Sequence, residues 1–121
     1  MIGAAILFLQ ATTPSVLGGP VSAELVSTHR AFAECLRVES IALERSDAEF
    51  DEIFTAARTA CADQAVAAYL ASLADLEKRP PSPTGKAPDV LAWELTDNTR
   101  DNAKRDIRLE FLRVRARRHS N

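Results

Sequence analysis

Glycine is scarce, and what little there is lies mostly at the start of the chain. Of 4 glycines in 121 residues, Gly3, Gly18 and Gly19 precede Pro20, and only Gly85 follows. No Gly-rich loop is therefore left to cradle a phosphate, and neither GxGxxG nor a Walker pattern occurs. Hairpin turns that need a left-handed residue are disfavoured as well, which argues against a strand-rich fold. Long apolar runs are also missing. The run Ile2–Leu9 is the most apolar stretch, and it is well short of the roughly 20 residues that span a bilayer as a helix. No CxxCH is present, so the motif for covalent haem is absent. Ser27, Ser40 and Ser72 lack any GxSxG or SxxK context, which leaves nucleophilic catalysis without support. No NxS/T sequon follows Ala23.

What remains points to one small helical domain. Nearly half of the residues are hydrophobic (46%), and the formal charge of −2 is too small to imply a partner. Leu25, Phe32, Leu36 and Leu43 recur at helical spacing, predicting a first helix over about 24–44 with Cys35 on the edge of its apolar stripe. Ser46-Asp47-Ala48-Glu49 has the form of a capping box, and Asp47, Glu49, Asp51 and Glu52 suit the positive end of a helix. A second helix is expected over about 47–78, with Phe50, Phe54, Ala57, Cys61, Ala65 and Ala68 at steps of three and four. Its alanines favour helix and permit close approach of a neighbour.

In an antiparallel hairpin turning at Glu44–Asp47, Cys35 stands about eleven residues before the turn and Cys61 about fifteen after it. At ~1.5 Å per residue they fall within about one helical turn of each other. A Cys35–Cys61 disulfide is expected. The alternative is a pair of buried free thiols acting as small hydrophobes. Closing about 26 residues, such a bridge contributes roughly 3.5 kcal/mol in the chain-entropy model.

Pro80–Pro88 reads as a linker, since its prolines lack the N–H donor and restrict their predecessors. A third amphipathic helix is expected over about 89–117. It opens on Val90, Leu91, Trp93 and Leu95, passes a polar stretch from Thr96 to Asn102 that is a candidate kink, and resumes with Ala103, Ile107, Phe111 and Val114. That second half is expected to pack on the hairpin. The fold class is thus all-α: a disulfide-stapled hairpin plus a third helix, a small three-helix bundle with the hairpin as its stable part.

The end of the third helix is basic. Lys104, Arg105, Arg108, Arg113, Arg115, Arg117 and Arg118 stand against Asp106 and Glu110. Arg113, Arg115, Arg117 and Arg118 form a candidate contact for an anionic partner, either an acidic protein or a lipid head group. The competing reading is a solvated helix end that complements the acidic hairpin. His29 with two cysteines lacks a fourth metal ligand and the usual short spacings. It reads as an ordinary surface or cap-region histidine, and no metal or cofactor is expected. Glu34, Glu39, Asp63 and Asp75 are spread over polar faces and give no acid–base pair.

Residues 1–23 are expected to be a secretory signal peptide: a short apolar run, then Val21-Ser22-Ala23 as a cleavage pattern, with Ala11 as the alternative site. No Lys or Arg follows Met1, so an uncleaved tether is the competing form. Export places the protein in the periplasm or outside the cell and argues against nucleic acid as a partner. The segment Ala31–Leu70, with Cys35-Leu36-Arg37, Ser46 through Phe50 and Ala60-Cys61-Ala62, resembles a group of small exported two-cysteine helical proteins of Gram-negative bacteria that have no assigned activity. The resemblance implies fold and compartment but no function, and the proline-rich linker is where this sequence departs from the group. The expected role is non-enzymatic, either binding or structural, with attachment to a membrane surface as the alternative.

Overall fold

A computed structural model describes residues 20–120. Among the described residues four helices follow one another: α1 (Ala23–Ala42), α2 (Phe50–Ala60), α3 (Ala62–Glu77) and α4 (Pro88–Ser120). Among the described residues there is no strand. The expected signal peptide falls largely on residues 1–19, outside the described residues.

α1 begins where Ser22 caps it. The Ser22 hydroxyl accepts from the Leu25 N–H at 3.0 Å, filling one of the orphan donors of the first turn. The Ser22 N–H in turn donates to Asp75 Oδ2 at 2.9 Å, so the buried carboxylate of α3 holds the start of α1. Val21 packs against the apolar cluster of Leu25, Ala71 and Leu95.

The expected second helix is in fact two. Its path breaks at Cys61, whose backbone sits at φ −101°, ψ 19°. The hydrogen-bond ladder still runs through this residue, from Cys61 N–H to Ala57 O and from Ala65 N–H to Cys61 O. The break is therefore a bend rather than a loop. Cys61 is also the residue bonded to Cys35, with Cα atoms 6.0 Å apart, well within the range a disulfide requires. The capping box does not form either. Glu49 is the N-cap of α2 and its side chain makes no cap bond, while residues 43–48 are a turn. Asp51 and Glu52 do occupy the first turn of α2, as macrodipole considerations favour.

In the linker, Gly85 is the one place where the backbone demands glycine. It lies at φ +75°, closing a turn in which its N–H donates to Ser82 O. Pro88 then opens α4 at the first helical position, where a missing N–H costs nothing. The polar stretch Thr96–Asn102 does not interrupt α4, which is continuous over 33 residues. Its polar groups are satisfied locally or by neighbouring helices: the Thr96 hydroxyl donates to Ala92 O, and Arg100 pairs with Asp97.

The core is divided in two. The larger cluster gathers Phe32 and Leu36 of α1, Phe50, Ile53 and Phe54 of α2, Cys61, Ala68 of α3, and Ala103, Ile107 and Phe111 of α4. Phe32, Leu36, Phe50, Phe54 and Cys61 are buried as the spacing predicts, and the second half of α4 does pack on the other helices. Leu43, expected on the apolar stripe of the first helix, is instead well exposed. The smaller cluster of Leu25, Ala71 and Leu95 lies toward the other end.

The Ser22 cap yields a direct expectation. A chain that starts at Glu24 loses both the cap and a donor to buried Asp75, and should be less stable by about 1–2 kcal/mol than one that starts at Thr12. Urea unfolding of the two forms measures this difference.

Candidate functional site

Between the two apolar clusters lies a polar layer centred on His29. Its Nε2 is 2.7 Å from Ser72 Oγ on α3, and its Nδ1 is 2.6 Å from Thr99 Oγ1 on α4. Ser72 also donates to Ala68 O at 2.8 Å and Thr99 to Leu95 O at 3.2 Å. A neutral imidazole donates from one ring nitrogen to the hydroxyl it faces and accepts at the other, where the facing hydroxyl turns its proton from its own helix carbonyl to the ring. His29 is thus a half-buried bridge between three helices and not the surface histidine expected. Sequence offered no signal for this, since its partners are 43 and 70 residues away.

The layer has the outline of a nucleophile–base pair without its working parts. Ser72 is wholly buried, and the third member is a threonine where orientation of a catalytic imidazole calls for a carboxylate. Burial pushes the His29 pKa below its usual value, partly offset by the Ala68 carbonyl. An unfolded chain therefore binds a proton at His29 more readily than the folded one does, and stability rises with pH in this range. Acidification from pH 7.5 through 6.5 toward the lowered pKa should reduce the urea midpoint. His29→Gln should abolish that part of the pH dependence, as read from unfolding curves above pH 5.

The basic tail divides into two pairs. Arg115 points its guanidinium at the turn between α1 and α2, where Nη2 lies 3.3, 3.2 and 3.2 Å from the carbonyls of Glu44, Ser46 and Ala48. Its plane also sits 4.2 Å from the centre of the Phe111 ring. Arg118 donates to Oε2 of the buried Glu44 at 2.6 Å. These two arginines clamp the turn. Arg113 and Arg117 are exposed, and their side chains make no ion pair among the described residues. Higher on α4, Glu110 takes both arms of the Arg37 fork at 2.9 and 2.7 Å, which holds the Arg37 pKa above its usual value. Removing Arg118 leaves the Glu44 carboxylate buried without its cation. Arg118→Ala should cost about 1–3 kcal/mol. Arg113→Ala should stay within about 0.5 kcal/mol of the parent. Thermal unfolding of both variants separates the clamp from the solvated pair.

A cleft of about 560 Å³ opens between α2 and α4. At one end these helices are joined by large side chains. Phe50 and Phe111 meet edge to face at 5.3 Å, Arg108 lies over Phe50 at 4.9 Å, and Lys104 and Arg108 both reach Asp51. Further along, the facing residues are too short to meet: Thr55 and Thr59 on α2, Ala62 and Ala65 on α3, and Thr96 on α4. Phe32 and Val66 also line this space, together with Arg58, Trp93, Asp97 and Arg100. The Trp93 ring is stacked on Tyr69, 4.1 Å between centroids, and remains 44% exposed. Arg100 is held by Asp97 and Asp101 at 3.1 Å each. Arg58 is exposed and makes no ion pair or hydrogen bond through its side chain among the described residues.

Cys35 and Cys61 are joined, so neither is available as a thiolate ligand. Among the described residues no cluster of three or more His, Cys, Asp or Glu could hold a metal, and no helix is long and apolar enough to cross a membrane. The disulfide suggests a non-reducing, exported setting. No family model, curated protein or solved structure matches this chain.

Proposed function

We propose that this chain is an exported, non-enzymatic binding protein and that it binds through the cleft between α2 and α4. The single observation that carries this reading is a concavity of ligand size with an exposed tryptophan on its wall. The Cys35–Cys61 bridge, the leader pattern ending at Ala23 and the resemblance to exported Gram-negative proteins support the compartment. The burial of Ser72 supports a binding role over catalysis.

Trp93 is the only tryptophan in the chain, so its emission reports on the cleft directly. Titration of the oxidised protein with the small-molecule fraction of its own envelope should shift that emission saturably toward the blue. Thr59→Phe, which fills the cleft from an exposed position, should abolish the shift. A response that survives in Thr59→Phe would place the binding elsewhere.

A second reading, attachment to an anionic lipid surface, is favoured by the outward face of α4. Leu109 and Leu112 are 51% and 56% exposed, and Arg105 and Arg113 share their helical face. Such a contact runs through Arg105, Arg113 and Arg117 in place of the four tail arginines, because Arg115 and Arg118 are held by the α1–α2 turn. Replacing Arg105, Arg113 and Arg117 by Glu should remove binding to phosphatidylglycerol vesicles at low salt. Wild-type protein that ignores such vesicles rules this reading out.

A further inference from the structure

We infer that the cleft takes a small amphipathic carboxylate, with its apolar body against Trp93, Phe32 and Val66 and its charged end on Arg58. The inference rests on the binding role proposed for the cleft and adds the class of ligand. Two features decide the class. The first is the apolar part of the lining, where Val66 and Trp93 are 47% and 44% exposed, whereas Phe32 is almost fully buried. Covering these surfaces removes apolar area from water, which favours a chain or ring over a wholly polar ligand.

The second feature is the charge on the lining. Arg58, Arg100 and Asp97 are the charged residues of the lining, and Asp97 is already matched by Arg100. A cationic ligand would find its one carboxylate taken. An anion finds in Arg58 an unpaired guanidinium whose fork fits a carboxylate in two-point contact. The threonine hydroxyls do not change this preference. Those of Thr55, Thr59 and Thr96 donate to backbone carbonyls of their own helices. The ligand's charged end therefore lies beside Arg58 and its apolar body along Trp93 and Val66.

The test follows Trp93 emission at constant helical signal with four probes kept below micelle-forming concentration: decanoate, decanol, decylamine and acetate. Decanoate should bind saturably, decylamine at least about tenfold more weakly, and acetate without detectable effect. Arg58→Gln should weaken decanoate about five- to tenfold and leave decanol unchanged. Arg113→Gln, on the tail away from the cleft, should leave both unchanged. Equal binding of decanoate and decylamine, or equal binding of decanoate by wild type and Arg58→Gln, overturns the inference. If envelope material shifts Trp93 and decanoate does not, the carboxylate class falls and the binding role stands. If neither shifts Trp93, both fall.

Discussion

The bond between Cys35 and Cys61 is the constraint from which the remaining geometry follows. It ties the middle of α1 to the one residue where the path from α2 to α3 bends. With Cys61 fixed there, α2 leaves in one direction, placing Phe50, Ile53 and Phe54 on the large cluster. α3 leaves in another, placing Ala68, Ala71 and Ser72 along α1 and α4. The cleft lies on the side of this bend where α2 and α4 diverge. A straight helix through residue 61 would give a different separation between Thr55–Thr59 and Trp93–Arg100. Bridge, bend and cleft are therefore one feature seen at three scales.

The second organising element is polar. Alanine-rich helices have smooth surfaces that can slide past each other at little cost, and apolar contact alone specifies their register weakly. His29, Ser72 and Thr99 remove that freedom, because a one-residue slip would leave buried donors and acceptors unpaired. The Ser22–Asp75 bond at one end and the Arg115 and Arg118 contacts at the other act in the same way. Each joins elements distant in sequence. Four helices with a divided core are thus held in register by polar groups at both ends and in the middle.

What could be read from sequence, and what could not, follows from the range of the interactions. Phe32, Leu36, Phe50, Phe54 and Cys61 declared themselves by local spacing, and the pairing of the cysteines followed from their distances to the turn. The bend at Cys61 left no trace, because Ala60 and Ala62 favour helix as much as any residues can. Ser46 and Glu49 carried a sound local cap signal, but the carbonyls of that turn are bound by Arg115 from 67 to 71 residues away. The Thr96–Asn102 stretch looked like a break only because the partner of Thr99, on α1, cannot be seen from α4 alone. Likewise the four tail arginines look equivalent in sequence, and only the turn they approach separates Arg115 and Arg118 from Arg113 and Arg117. The cleft belongs wholly to this class, since its residues come from all four helices.

The bridge is thus the claim to test first, and intact mass after thiol alkylation does so most directly. Protein recovered without reductant and unfolded in alkylating reagent should gain no adduct. After reduction it should gain two, and peptides containing Cys35 and Cys61 should be found joined only before reduction. Two adducts without reduction, on protein whose unfolding is otherwise cooperative, would mean that the helices hold their places without the bond and that the bend at Cys61 has another cause.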